Sequence, residues 1–410
     1  MEPNKLDDQL FRHSYSKTVA ILVGLFGLKE IATAEDIVQD TLVAALEQWS
    51  VHGIPTNPDG WIMDVAKKKT INHLKRTQLF ETKVVTSWIE SQHTAEGNSD
   101  DSTLRLIFAC CHPALPIASQ IALALKTLCG LSVPEISRAL LTSEDNINKR
   151  LYRAKEKFRT EHIVFTVPDE DEFEYRINGV CKTLYLLFNE GYYSPNHQEL
   201  IRMDMCYEAI RLIKEVHDQF EGNSKVNGLL SMMYFSIARF ESRLSADHTF
   251  ICLQDQDRSL WDRELIQLGF KHLSHSIEQT RPNSYQIQAG IAAEHCLSPS
   301  FEKTNWQSIY DQYTLLETIE QNELIQINKI IAFFFLGNKE LAIEELKLLK
   351  IKDHIRSSTS YLLTLATFYK LTNNMKLAEA NFDQALQHAQ SDQERSMIQS
   401  KLDQLKPDSR

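Results

Sequence analysis

Residues 130–159, GLSVPEISRALLTSEDNINKRLYRAKEKFR, fit one local structure: two short helices joined by a tight turn. Ser132 precedes Glu135 by three residues with Pro134 in the first turn, the arrangement of a capping box. Thr142-Ser143 stops that helix and starts the next, with Thr142 and Asp145 repeating the capping spacing. In the second helix Ile147, Leu151, Ala154 and Phe158 recur at i, i+4, i+7 and i+11 and form one apolar stripe. Asn146, Lys149, Arg150, Arg153 and Lys157 gather on the opposite side. A helix divided in this way packs by one face and offers amide and cationic groups to a DNA major groove with the other. The pattern predicts a helix-turn-helix, and DNA as its partner.

The overall charge of −11 is at odds with that partner until it is divided along the chain. Residues 1–165 carry 19 Lys+Arg against 20 Asp+Glu, a net of −1, while the remainder carries 25 against 35, a net of −10. The basic groups of the first part are clustered at Lys67–Lys69, Lys75-Arg76 and Lys149–Arg159, so they can neutralise phosphates locally. The acidic remainder suits protein binding or regulation. With 43% hydrophobic residues and only 13 Gly in 410, a helix-rich chain of several packed domains is expected. Seven scattered cysteines predict reduced thiols. No run approaches the ~18 apolar residues of a membrane span, and MEPNKLDDQLFRH lacks a signal-peptide apolar core. A cytoplasmic location without membrane association is expected.

The N-terminal segment reads as three helices. Leu10–Phe26 ends near Gly27, and Thr33–Asp36 reads as a capping box that opens a helix running to about Trp49. On that helix Val38, Leu42, Ala45, Leu46 and Trp49 form the expected buried face, and Glu35, Asp36, Gln39 and Asp40 gather near its start. A loop at Ser50–Asp59 carries Gly53, Pro55 and Pro58. The third helix, Gly60–Thr77, buries Trp61, Ile62, Val65, Ile71 and Leu74 and presents Lys67, Lys68, Lys69, Lys75 and Arg76.

AEDIVQDTLVAALEQW, NPDGWIMDVAKKKTINHLKR and the helix-turn-helix stand in the order and spacing of RNA polymerase sigma factors. The chain resembles regions 2 and 4 of the extracytoplasmic-function group of the sigma-70 family over residues 10–160, joined by the polar segment Ser87–Ser102. The resemblance implies an all-α protein with a region 2 helical bundle (8–80), a linker (81–102) and a region 4 helix-turn-helix (103–162). It implies that Glu35, Asp36, Gln39 and Asp40 dock on the β′ coiled coil of core RNA polymerase, with the β subunit as a further partner. The loop Ser50–Asp59 matches the one that receives a flipped base of the −10 element, which implies −10 contacts by Asn57, Trp61, Lys67, Lys68, Lys69, Lys75 and Arg76. Lys68 stands where the family often has Asn. Trp61 also reads as a core residue. Asp145, Asn146, Asn148, Lys149, Arg150 and Arg153 match the positions that reach the −35 element. Leu141 stands where the family commonly has Gly in the turn, which implies either a wider turn or a different backbone angle there.

Past the acidic run at Pro168–Glu172, Leu184–Tyr192 and Met203–Val216 read as helices of a middle domain spanning 172–280. Within it the polar cluster Asp255–Arg258 with Trp261–Arg263 reads as a salt-bridged helix entry. Leu362, Leu365, Ala366, Tyr369, Ala378, Phe382 and Ala385 reproduce tetratricopeptide spacing. A unit 36 residues upstream places Phe333, Ala342, Leu346 and Leu349 at equivalent positions, with Ile330 where a small residue is usual. A repeat domain over 281–405 is expected. This end is similar to the C-terminal extension of a sigma subgroup, which implies that the extension modulates sigma activity and receives a protein or small-molecule effector.

Catalytic motifs are missing: no Gly-rich phosphate loop, G-x-S-x-G, H-E-x-x-H or C-x-x-C occurs. Cys110-Cys111-His112 has apolar neighbours and reads as a buried helix end rather than a metal site. No enzyme activity and no cofactor are expected. A stand-alone helix-turn-helix regulator with a repeat-based sensor would share the DNA-reading helix, yet it has no use for the Glu35–Asp40 patch or the flipped-base loop.

Overall fold

The computed structural model describes residues 3–76, 100–140, 142–161, 163–193, 201–245, 250–277, 281–389 and 391–405, without the side chains of 3–13, 74–76, 100–101, 138–139 and 354. The chain is all-α: the described residues contain no strand, and the one extended pairing is an isolated bridge between Leu244 and Phe250. It divides into two compact units, one comprising residues 1–188 and 207–216, the other 189–206 and 217–410.

In the first unit, α1 (Pro3–Phe26), α2 (Ile31–His52) and α3 (Pro58–Arg76) pack on one another as a bundle. Gly27 ends α1 at φ 82°, a left-handed angle that suits glycine, and the 3₁₀ turn Leu28–Glu30 leads directly into α2. The expected capping box at Thr33–Asp36 therefore does not open the helix. Thr33 lies inside it and donates its hydroxyl to the Glu30 carboxylate at 2.9 Å. Val38, Ala45 and Trp49 are buried on α2 as the periodicity requires, but Leu46 is 56% exposed. On α3 the fully buried positions are Ile62, Ala66 and Thr70, with Trp61 half-buried.

The helix-turn-helix follows from α4 (Asp100–Cys110) and α5 (Ile117–Thr127), with α6 (Val133–Ala139) and α7 (Glu144–Thr160) packed on each other and on α5. The Ser132–Glu135 capping box forms: Glu135 accepts from the Ser132 amide at 2.7 Å, and the Glu135 amide donates to Ser132 Oγ at 3.4 Å. For α7 the cap is Ser143 rather than Thr142, since Ser143 Oγ accepts from the Asn146 amide. All four members of the apolar stripe, Ile147, Leu151, Ala154 and Phe158, are buried. Cys110 and Cys111 are buried at the end of α4. Among the described residues no cluster of His, Cys, Asp and Glu suits a metal ion.

The first unit does not stop at the helix-turn-helix. The first part of α8 (Glu170–Tyr192) contributes Phe173, which meets the fully buried Phe108 edge-on at 5.9 Å, and Thr183, whose hydroxyl lies 3.7 Å from the Cys111 sulfur. From α9 (Met203–Gln219), Arg211 is gripped by Glu208 and Glu215 and donates to Ser16 Oγ at 3.3 Å.

In the second unit the helices stack in series: α10 (Ser224–Ile237), α11 (Arg263–Ser276), α12 (Ser284–Leu297), α13 (Trp306–Ile319), α14 (Glu323–Phe335), α15 (Lys339–Leu348), the short α16 (Asp353–Arg356), α17 (Thr359–Leu371), α18 (Met375–His388) and α19 (Asp392–Asp403). Asx caps recur: Asn223, Asp262, Asn283, Asn305, Asn322 and Asn374 each accept from amides of their own first turn. The 36-residue repeat is present in the backbone. Helices α14 and α17 start and end 36 residues apart, and the turns after them reach positive φ at the same place, Gly337 (105°) and Asn373 (59°). Their core is shared, with Phe334 stacked on Phe368 at 3.9 Å over Ala342, Leu346, Ala378 and Phe382. The polar cluster is a helix entry: Asp262 caps α11, and Arg258 donates to the carbonyls of His295 and Ser298 while lying 4.7 Å over Trp261.

Candidate nucleic-acid and polymerase interface

Helix α2 separates the acidic quartet. Asp36, Gln39 and Asp40 are exposed, but Glu35 is buried at 2% exposure, with its side chain directed into the unit. Thr127 Oγ1 of α5 donates to one Glu35 oxygen at 2.7 Å, and Lys155 Nζ of α7 donates to the other at 2.7 Å. Glu35 therefore ties α2 to the helix-turn-helix in this conformation and is unavailable to an outside partner. The exposed face of α2 continues with Val43 and Leu46, each more than half exposed, at i+7 and i+10 from Asp36. Acid and amide groups followed by two exposed aliphatics form one stripe nearly three turns long. Leu46 belongs to this outer stripe rather than to the core.

The loop between α2 and α3 is short because α2 runs to His52 and Gly53 ends it at φ 80°. Asn57 accepts from the Gly60 amide at 2.9 Å and so closes the first turn of α3 while its side chain stays exposed. Trp61 packs edge-on against Trp49 at 5.5 Å, in a cluster with Ala45 and Ile62, so its half-buried ring serves the bundle core. Val51 (75%) and Ile54 (51%) are exposed on either side of Gly53, an apolar rim that helical periodicity could not assign. The lysines differ in their availability. Lys68 is exposed, Lys67 is half-buried, and Lys69 spends its ammonium on the Asp40 carbonyl at 2.7 Å. Lys75 and Arg76 close α3, and their side chains lie outside the described residues, as does Leu141 of the turn.

On α7 the polar face is presented to solvent. Asp145, Asn146, Asn148, Lys149 and Arg153 are exposed and Arg150 is half-buried. Asp145 and Lys149 pair at 2.6 Å across one turn, an exposed contact that a phosphate or base edge can displace at little cost. Tyr152, 66% exposed, stands among them and is an additional stacking or hydroxyl-donating group on the same face. The acids of the first turn and Lys157 and Arg159 of the last match the helix dipole.

The sequence relationships follow the same division. Residues 10–80 match the family model for Sigma-70 region 2, and residues 105–158 match that for Sigma-70, region 4. Residues 176–277 match a family of unknown function, DUF6596. An uncharacterized protein of Rhizobium meliloti (strain 1021) is 31% identical over 386 residues, covering 92% of this chain and 91% of that protein. No solved structure matches the chain. Among the described residues no helix is long and apolar enough to cross a membrane. With two sigma segments in order, a helix-turn-helix whose polar face is open, and a matched domain beyond them, the chain belongs to the sigma-70 family as a sigma factor of the extracytoplasmic-function type with a C-terminal extension.

Proposed function

We propose that this sigma factor docks on the β′ coiled coil of core RNA polymerase through the α2 stripe of Asp36, Gln39, Asp40, Val43 and Leu46. In this reading the loop of residues 53–57, with Asn57, and the adjoining Lys67 and Lys68 receive the −10 strand, and the α7 face of Asn146, Asn148, Lys149, Arg150 and Arg153 reads the −35 duplex. The observation that carries it is the exposure of both polar faces while the apolar side of each helix is buried.

The Glu35–Lys155 contact adds a step. Elements at −10 and −35 lie about 25 base pairs apart, on the order of 85 Å of duplex at 3.4 Å per step. With α2 and α7 joined at 2.7 Å, the loop that follows α2 and the polar face of α7 cannot reach both elements at once. Promoter binding then requires this contact to part, and Glu35 becomes available to polymerase as it does so. The extension modulates the step, a role supported by the placement of Phe173, Thr183 and Arg211 inside the unit that holds both sigma regions.

Core binding tests the docking directly. Asp36→Arg should weaken the affinity of the full chain for core polymerase by at least about tenfold, roughly 1.4 kcal/mol, with unchanged helix content. Unchanged affinity would return Asp36 to the role of a solvated surface group.

A further inference from the structure

The second unit contains a cavity of about 470 Å³ that the promoter-reading machinery does not use. It is lined by the first helices of the two repeat pairs, α14 and α17, together with residues of α12, α13, α19 and the segment at 250–254. Its size is that of a small-molecule site, and its wall is mostly apolar and aromatic. Trp306 and Phe335 stack at 4.6 Å, and Phe301 stands edge-on to both at 5.0 Å. Such an array accepts a flat ring by offset or edge contact.

The polar part of the wall is unbalanced. No Asp or Glu is among the lining residues, and the single cationic side chain is Lys401 on α19. Lys401 is only 17% exposed, and its ammonium lies 3.5 Å from the half-exposed Asp255. The Cys252 thiol is a second polar neighbour of the ammonium. An ammonium has three donors, so capacity for a ligand anion remains. His295 also contributes to the wall, but its Nδ1 is buried out of reach of a cavity occupant. Burial, with Arg239 and Arg258 nearby, pushes the imidazole down to about 3, so the ring is neutral at physiological pH.

We propose that this cavity binds a small aromatic carboxylic acid, its ring held by Trp306 and Phe335 and its carboxylate on Lys401. The proposal goes beyond promoter recognition. Its test uses neither polymerase nor DNA, so its failure and the failure of the sigma mechanism are separately visible.

The full chain is titrated with 8-anilinonaphthalene-1-sulfonate, an aromatic anion, and with its neutral analogue N-phenyl-1-naphthylamine, followed by displacement with 1-naphthoate. The expected result is one saturable site per chain, emptied by 1-naphthoate. Lys401→Met should weaken the anionic probe by about tenfold while changing the neutral probe by less than about twofold. Thr364→Trp, which fills the cavity from α17, should weaken both probes by about tenfold or more, with near-ultraviolet circular dichroism retained; Ser360→Phe is the second cavity-filling variant if the first does not fold. Unsaturable binding, binding that no cavity variant alters, or equal loss of both probes in Lys401→Met would overturn the proposal.

Discussion

Glu35 and Lys155, 120 residues apart, meet at 2.7 Å, with the carboxylate 3% and the lysine 24% exposed. Removing the lysine leaves Glu35 a buried charge with only Thr127 to satisfy it. Because Lys155 is partly solvated, the expected cost of Lys155→Met to the first unit is about 1–3 kcal/mol in urea unfolding. The same change should tighten binding to core polymerase, since the closed form is what it weakens. Weaker or equal core binding with the stability loss intact would make the contact a structural tie and no more.

The α7 face should divide into base-reading and phosphate-contacting groups. Asn148→Ala is expected to cost about 1–3 kcal/mol on a selected promoter duplex and to relax preference at one base pair. Arg153→Gln should weaken binding evenly across sequences and lower the salt slope by about one. Fluorescence anisotropy over a range of salt concentrations separates the two. Identical profiles for both variants would contradict the assignment.

Phe173 lies beyond the matched region 4, yet it is 4% exposed against the fully buried Phe108. Phe173→Ala should cost about 3–5 kcal/mol. A chain ending at Phe165 should show a melting temperature below that of the intact first unit. A loss under about 1 kcal/mol would mean that α8 is a detachable neighbour of the sigma regions rather than part of their core.

His295 predicts a pH dependence. At pH 7 its folded and unfolded forms are both neutral. Below about pH 6.5 the unfolded imidazole takes a proton that the folded one refuses until about pH 3, so acidification favours unfolding. Between pH 7 and pH 5 this group alone should remove about 2 kcal/mol of stability. His295→Gln should flatten that part of the profile in urea titrations; an unchanged slope would show that His295 titrates normally.

Much of the fold was legible because helical periodicity is local. Ile147, Leu151, Ala154 and Phe158 are all buried, and the repeat positions Ala366, Tyr369, Ala378, Phe382 and Ala385 form one core. Where two readings were locally equivalent, packing decided. Ser143 caps α7 in place of its neighbour Thr142, and Leu46 turned outward because α2 carries aliphatics on two faces. No spacing rule could pair Lys155 with Glu35 across 120 residues. The cavity was equally hidden, since its wall draws on five helices whose residues are far apart in sequence.

Promoter-dependent run-off transcription with purified core polymerase, supplied with the full chain and a genomic fragment pool, tests the central claim most directly. Discrete start sites are expected that depend on the chain, share −10 and −35 sequences, and disappear with Asp36→Arg or with Asn148→Ala and Arg153→Gln combined. Transcripts that are the same with and without the chain would contradict it.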